Sequence, residues 1–186
     1  MQHLAHARRL CSFVCPQAPP RFMPIQGATI PSWFVIREAA ERRPEFLERF
    51  EESRAYVQKL VKSLQPLNRR VLIVGYSMGA ALGIASAFTI RDQPVWGVLG
   101  LSGYTVPLQV TRKSARKTRF WAGHSPSDTQ IPFEWAAYSF QSLKGVGVPD
   151  AHFEVFDKAA GHEFGDEHRN LLVKFVQRAS LAEQED

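Results

Sequence analysis

The stretch Val71-Leu-Ile-Val-Gly75-Tyr-Ser77-Met-Gly79-Ala80 decides the fold. Its first four residues are apolar and mostly β-branched, which predicts a short buried strand from Val71 to Val74. The small apolar residues after Gly79 predict a helix. Between strand and helix lies a G-x-S-x-G sequence, in the setting that this motif requires: a sharp turn that presents a serine. We expect glycine at Gly75 and Gly79 because side chains there would collide within the turn.

Beyond this stretch, apolar strands and helices alternate along the chain. Continuous apolar runs predict three further strands: Val95–Leu101, Thr118–Ala122 and His152–Phe156. Apolar residues at helical spacing predict a long amphipathic helix that begins near Pro44 and ends at Pro66, and a last helix over Asp166–Ala179. Uninterrupted apolar strands that alternate with helices are typical of a parallel sheet covered on both faces. We therefore predict an α/β fold with one domain over residues 1–186, disordered over residues 1–10.

Composition narrows the classes of function. The chain has 186 residues, 45% apolar and 22% charged, which is typical of one globular domain. The 23 Lys and Arg residues exceed the 18 Asp and Glu residues by five, and residues 112–119 contain five of the basic ones. No apolar run approaches the roughly 20 residues of a membrane span, and Met1–Leu10 is too poor in apolar residues for a signal-peptide core. A membrane channel, a collagen, a disulfide scaffold and a disordered tail are excluded.

The two cysteines, Cys11 and Cys15, do not indicate a disulfide or a metal site. On an extended strand their side chains would share a face about 13 Å apart, which is too far for a disulfide. A lone C-x-x-x-C sequence with no nearby ligand pair is poor evidence for zinc. We expect two buried free thiols in a reducing compartment, and hence a cytoplasmic protein without a metal site.

Three residues in a fixed order are candidates for a catalytic site. A nucleophilic serine needs a base and a group that orients the base. When the serine lies on a strand-to-helix turn, the acid and then the histidine follow it, just past the ends of later strands. Asp128 follows the third predicted strand and His162 the fourth, so the candidate triad is Ser77, Asp128 and His162. The Met78 backbone N–H, at the start of a helix, is a candidate donor to a developing oxyanion.

Other residues remain candidates for the base and the acid. His124 precedes the acid, His152 lies within a strand and His168 falls inside the last helix, so each fits the order less well. Asp150 precedes a strand, and Asp157 ends the strand before the histidine. A nucleotide-binding loop fits worse, because the chain has no G-x-G-x-x-G here and no lysine after the helix-opening glycine.

Five segments carry a resemblance to a known family: CPQAPPRFMPIQGATIPSWF, VLIVGYSMGAAL, GVLGLSGYTVP, FWAGHSPSDTQIP and FEVFDKAAGHEF. They resemble, in order and over residues 11 to about 165, the acyl-protein thioesterase and small carboxylesterase (lysophospholipase-like) branch of the α/β-hydrolases. The resemblance implies an α/β-hydrolase fold and hydrolysis of carboxylic esters or thioesters of acyl chains without a cofactor. It matches Ser77 to the nucleophile, Asp128 to the acid and His162 to the base.

The chain departs from this family in several places. The residue after the nucleophile is commonly Gln and here is Met78, and Val35 stands where Asp is usual. Family members also open with further strands and a His-Gly loop that supplies a second oxyanion donor, and nothing before Cys11 resembles them. In the family's sheet, the absent strand lies between those that match Ser12–Val14 and Val71–Val74. We therefore expect an N-terminally truncated or rearranged hydrolase.

The resemblance also implies partners. The expected substrates are acyl esters or thioesters, including lipidated proteins and lysophospholipids, and no nucleic acid is expected. Trp33 and Tyr104 are candidate residues of the substrate groove; the alternative is that both are packing aromatics. The basic run Arg112–Arg119 is a candidate for transient contact with an anionic membrane surface, or else a solvated loop. A function of a different class is also open: a hydrolase-derived binding or regulatory protein with weak catalysis.

Overall fold

The computed structural model describes residues 11–37, 47–65, 70–157 and 161–182. The expected disorder of residues 1–10 and the expected helix end at Pro66 lie outside these ranges. The helix expected to begin near Pro44 begins instead at Phe50, because residues 47–49 are not helical and Arg49 has a left-handed backbone with φ 68°. Within them, no helix combines the length and apolarity that a membrane crossing needs. The elements, in chain order, are β1 Pro20–Met23, β2 Ala28–Pro31, α1 Phe50–Leu64, β3 Leu72–Tyr76, α2 Met78–Thr89, β4 Gly97–Leu101, α3 Arg112–Lys117, β5 Arg119–His124, α4 Phe133–Gly145, β6 Ala151–Val155 and α5 Asp166–Ala182.

Strands β3 to β6 form a parallel sheet in the order β3-β4-β5-β6. Val74 pairs with Leu99, Leu99 with Trp121, and Trp121 with His152 across the sheet. The predicted α/β fold is confirmed, and each of the four strands begins and ends within two residues of its predicted position. Because the strands are parallel, their carboxyl ends meet at one edge of the sheet, where open α/β sheets bind their ligands.

Helices cover both faces of this sheet. On one face, α2 and α4 pack against β4 and β5 in a buried cluster that contains Ile84, Phe88, Val98, Phe120 and Phe140. On the other face, α5 packs against β4 through Leu99, Leu101, Leu171, Phe175 and Val176. Successive residues of a strand point to opposite faces, so β4 contributes to both clusters and every one of its residues is buried. The sheet thus holds the loops at its carboxyl edge on a rigid support.

The first part of the chain differs from what we expect. Ser12–Val14 is not a strand, since residues 11–19 have no regular secondary structure. Strands β1 and β2 pair antiparallel as a hairpin, with Pro20 opposite Pro31 at its open end. The expectation of two buried thiols is also wrong, because Cys11 is half-buried and Cys15 is exposed. Residues 11–37 therefore form a small hairpin flanked by irregular chain.

The basic run Arg112–Arg119 is not a solvated loop. Its first six residues form α3, whose start is capped by the Thr111 hydroxyl, which accepts from the Ser114 N–H at 3.1 Å. Arg119 already belongs to β5. Helix α3 therefore lies at the amino end of β5, on the edge of the sheet opposite the carboxyl ends.

Candidate active site

Ser77 occupies the turn between β3 and α2. Its backbone has φ 53° and ψ −121°, a positive-φ conformation that costs free energy in residues other than glycine. Its N–H donates to the carbonyl of Leu101 at 2.9 Å, and its own carbonyl accepts from the Ala80 N–H at 2.9 Å. The strained turn is thus held from both sides, by the neighbouring strand and by the helix that follows.

Gly75 and Gly103 make room for this turn. A Cβ at Gly75 would lie 2.1 Å from the carbonyl oxygen of Gly79, so the expected collision at Gly75 is confirmed. At Gly79 the expectation is wrong, because a Cβ there would meet no described atom within 4 Å apart from its own neighbours in α2. Gly103, just after β4, must also stay small. A Cβ there would lie 2.4 Å from the Ala80 Cβ and 3.0 Å from the Ser77 carbonyl oxygen.

Asp128 lies in the loop after β5, and its carboxylate is fully buried. Its Oδ1 accepts from the backbone N–H groups of Gln130 and Ile131, both at 2.9 Å. Its Oδ2 lies 2.6 Å from His162 Nδ1. Burial acts to raise the pKa of Asp128, but the bonds from His162 and from the two N–H groups outweigh it and leave the pKa below its ordinary value. The carboxylate is therefore ionised at neutral pH.

His162, in the loop after β6, joins Asp128 to Ser77. Its Nε2 lies 2.8 Å from Ser77 Oγ, while Nδ1 faces the carboxylate. An ionised carboxylate can only accept, so Nδ1 carries the proton and Nε2 accepts from the serine hydroxyl. The imidazole side chain is only 9% exposed. The structure thus brings together the three residues of the candidate triad in one hydrogen-bonded chain, which can move a proton from a hydroxyl to an imidazole.

Met78, the candidate oxyanion donor, is the first residue of α2. Its N–H is one of the four at a helix start that have no partner within the helix. Its Sδ accepts from the Trp33 N–H at 3.3 Å, and the Trp33 carbonyl accepts from the Ser53 hydroxyl. The half-buried Trp33 ring stacks on Tyr56 with centroids 6.2 Å apart. Trp33 therefore lies beside the nucleophile turn, in contact with the residue that follows the serine.

Tyr104, the other candidate groove residue, lies deeper. It is 4% exposed, and its ring meets the edge of Trp135 at a centroid distance of 5.7 Å. It belongs to a buried cluster with Phe34 and Val106, against which Met78 also packs. Its place is in the core that supports the nucleophile turn.

The alternative bases and acids make their contacts elsewhere. His168 is fully buried, its Nε2 bonds Ser102 Oγ at 2.7 Å, and burial above all lowers its pKa to about 4. His152, a half-buried residue of β6, lies 3.5 Å from Glu154 and packs beside the Trp121 ring at a centroid distance of 4.8 Å. Asp150 accepts from the Trp121 indole at 3.1 Å. Among the described ranges, no group of three or more His, Cys, Asp or Glu side chains could hold a metal ion.

His124, which the sequence offers only as an alternative base, lies behind the carboxylate. Its Nε2 is 2.9 Å from the Ile131 carbonyl and 3.4 Å from Asp128 Oδ2. The ring is fully buried, and burial is the main cause that lowers its pKa. His124 is therefore neutral and donates through Nε2, which fixes the loop around Asp128. The sequence analysis missed this role, and the one available indication was that His124 lies four residues before Asp128 in the same loop region.

The chain matches the phospholipase/carboxylesterase family over residues 1–179. The acyl-protein thioesterase 1 homolog 1 of Dictyostelium discoideum is 26% identical over 174 residues, and the match covers 89% of this chain and 76% of that protein. The acyl-protein thioesterase 1 of Emericella nidulans is 27% identical over 197 residues, with 92% and 78% covered.

Solved structures show the same fold. The Zea mays acyl-protein thioesterase 2 superposes with a TM-score of 0.76 at 22% identity, over 89% of this chain and 80% of that one. The Bacillus cereus carboxylesterase gives a TM-score of 0.63 at 13% identity, over 80% and 69%. The family match covers nearly the whole chain, and the fold agrees with it. The chain therefore belongs to the phospholipase/carboxylesterase family of α/β-hydrolases and is a serine hydrolase of ester or thioester bonds.

Proposed function

We propose that Ser77, His162 and Asp128 are a catalytic triad that hydrolyses acyl esters or thioesters through an acyl-enzyme. The observation that carries this proposal is the continuous hydrogen-bonded chain from Ser77 Oγ through the imidazole to the carboxylate, with distances of 2.8 and 2.6 Å. Nucleophile, base and orienting acid within hydrogen-bond reach of one another are the signature of nucleophilic catalysis.

In the acylation step, Ser77 Oγ forms a bond to the acyl carbon while its proton passes to His162 Nε2. The electron pair of the carbonyl moves onto its oxygen, and the Met78 N–H donates to this oxyanion. The pair then returns, and the bond from carbon to the leaving oxygen or sulfur breaks. The leaving group takes the proton from Nε2 and departs as an alcohol or a thiol.

In the deacylation step, water repeats the attack. His162 Nε2 takes a proton from the water as its oxygen bonds to the acyl carbon, and the bond to Ser77 Oγ then breaks. Oγ recovers the proton from Nε2, and a carboxylic acid leaves. Asp128 stays ionised throughout and stabilises the imidazolium, in agreement with its lowered pKa. Atoms balance as ester or thioester plus water, without a change of oxidation state.

The substrate class that we propose is an acyl thioester on a lipidated protein, with lysophospholipids as the second choice. The proposal is supported by the relatives, which are named acyl-protein thioesterases. It is also supported by the apolar wall beside the nucleophile, where Trp33 contacts Met78 and stacks on Tyr56. An acyl chain bound at Ser77 would lie against this wall.

Labelling by a fluorophosphonate probe tests the triad. Wild type should be labelled, whereas Ser77→Ala should not, and its hydrolysis of short p-nitrophenyl esters should fall by several orders of magnitude. His162→Ala should cost about as much, because triad members act as a unit. Ser63→Ala, which removes an exposed serine hydroxyl of α1, is the matched control and should behave as wild type. Wild-type hydrolysis by Ser77→Ala would overturn the proposal.

A further inference from the structure

Tyr76, the last residue of β3, touches the candidate base twice. Its hydroxyl donates to the backbone carbonyl oxygen of His162, which is 86 residues away in the chain. Its ring lies beside the imidazole, with centroids 5.3 Å apart and planes inclined by 32°. Because Tyr76 immediately precedes Ser77, one short stretch of chain carries both the nucleophile and a support for the base.

The loop that carries His162 needs such a support. The bond from Nδ1 to Asp128 orients the imidazole but leaves the main chain of the loop to be fixed by other groups. Among the described residues of this loop, the His162 carbonyl accepts from the Tyr76 hydroxyl, the Gly161 N–H donates to Ser127 Oγ at 3.2 Å and the Gly165 N–H donates to His168 Nδ1 at 3.2 Å. Of these, the bond from Tyr76 is the one made to His162 itself. A base that must first accept a proton and then return it is sensitive to misplacement, and about 1 Å can cost a hundredfold in rate.

We propose that Tyr76 is a positioning residue: its hydroxyl and ring together hold His162 at the distance from Ser77 that proton transfer requires. This inference rests on the proposed function of the triad. It assigns to the residue before the nucleophile a role that the G-x-S-x-G pattern does not define.

The Tyr76 side chain is itself held in place by its neighbours. Its ring meets the edges of Phe164 and His168, at centroid distances of 5.4 and 5.7 Å. Burial, and then the negative charges of Asp128 and Glu163, raise the pKa of its hydroxyl, which therefore remains a donor at neutral pH. A strand end is also a more rigid platform than a loop.

The test separates positioning from packing. Tyr76→Phe keeps the ring and removes only the donor. We expect its kcat for a p-nitrophenyl ester to fall at least about tenfold, because the His162 carbonyl loses its anchor, while KM stays within about twofold. Tyr138→Phe is the matched control, since Tyr138 is 74% exposed on α4, and it should change neither constant. Expressing kcat per site titrated by the fluorophosphonate probe counts only folded enzyme.

The background variant Asp128→Asn gives the second readout. If Tyr76 acts by aligning His162, its hydroxyl should matter less once the imidazole is already misaligned, and Tyr76→Phe should then cost less than about threefold. A purely structural role would give the same factor in both backgrounds, and this result would overturn the inference. Equal kcat in Tyr76→Phe and wild type would also overturn it, provided that Ser77→Ala is inactive. Activity in Ser77→Ala would instead overturn the triad itself.

Discussion

The two glycines of the G-x-S-x-G sequence should respond to alanine in opposite ways. In Gly75→Ala the new Cβ would lie 2.1 Å from the Gly79 carbonyl oxygen, 2.4 Å from the Gly79 carbonyl carbon and 2.6 Å from the Ala80 nitrogen. All three atoms are backbone, so no rotamer change relieves the contact, and the start of α2 must move. Severe overpacking costs about 1–3 kcal/mol or more, and we expect Gly75→Ala to lose at least about 3 kcal/mol of the free energy of unfolding.

Gly79→Ala gives the matched control four residues later. Its Cβ would point into open space among the described residues, and Gly79 lies inside α2 with no positive φ to preserve. Replacing a helical glycine by alanine reduces the entropy of the unfolded chain, which stabilises by about 0.5–1 kcal/mol. The free energy of unfolding should therefore stay constant or rise by that amount.

Urea unfolding, followed by tryptophan fluorescence and circular dichroism, measures both changes, and fluorophosphonate labelling reports whether Ser77 keeps its position. We expect Gly75→Ala also to lose at least about a hundredfold in labelling rate, since the turn that presents Ser77 is displaced. Wild-type stability in Gly75→Ala would refute the steric argument. An equal loss in both variants would refute it as well, because the motif would then need glycine for another reason.

Two further predictions concern buried ionisable side chains. Asp128→Asn should lower kcat by about 10⁴, because the amide favours the wrong imidazole tautomer. In steady-state kinetics, Asp150→Asn and Asp157→Asn should match wild type. If one of these two variants lost activity and Asp128→Asn did not, that residue would be the orienting acid instead of Asp128. His168, whose pKa burial lowers to about 4, binds its proton more readily in the unfolded chain, where the pKa is 6.5. The contribution of His168 to the free energy of unfolding should therefore fall by about 3 kcal/mol between pH 6.5 and pH 4 and stay constant at higher pH. In urea titrations, His168→Gln should show a weaker dependence of the free energy of unfolding on pH over this range.

The sheet was predictable from short stretches of sequence, and the candidate triad from the order in which those stretches follow one another. Strand β4, Gly97–Leu101, is a continuous apolar run in which every residue is buried, so composition alone marks it. Strands β3 and β6 at the two ends of the strand order are only partly buried, and their apolar residues still marked their positions. Asp128 and His162 could be selected because parallel strands place the loops after β5 and β6 at the edge where Ser77 lies. The order of the elements thus implies the meeting of the three side chains.

The hairpin β1–β2 and helix α4 were not predicted from the sequence. Prolines suggest irregular chain, yet Pro20 and Pro31 sit at the open end of a two-stranded hairpin, where a missing N–H is tolerated. Helix α4 did leave a signal, since Ala136, Phe140 and Leu143 recur at helical spacing and are buried. The second expected glycine collision is absent because a Cβ at Gly79, in the first turn of α2, would point into open space among the described residues.

Contacts between distant residues were the least predictable. Nothing local links the Tyr76 hydroxyl to the His162 carbonyl, or the Met78 sulfur to the Trp33 N–H. These bonds exist only because the fold closes the chain around the carboxyl edge of the sheet. A motif thus identifies the reacting atoms, whereas the groups that hold them in place follow from tertiary structure.

The same geometry bears on the basic run. Helix α3 precedes β5 and the candidate acid follows it, so about 17 Å of strand separates the basic residues from the edge that holds Ser77. A membrane bound to α3 would face the edge of the sheet away from the nucleophile, and an acyl ester in that bilayer would have to leave it to react. Local contacts explain part of the run: Lys113 donates to the Asp92 carbonyl, and Arg119 lies 4.4 Å over the Trp96 ring. A membrane contact through α3 would therefore leave Ser77 at the far edge of the sheet.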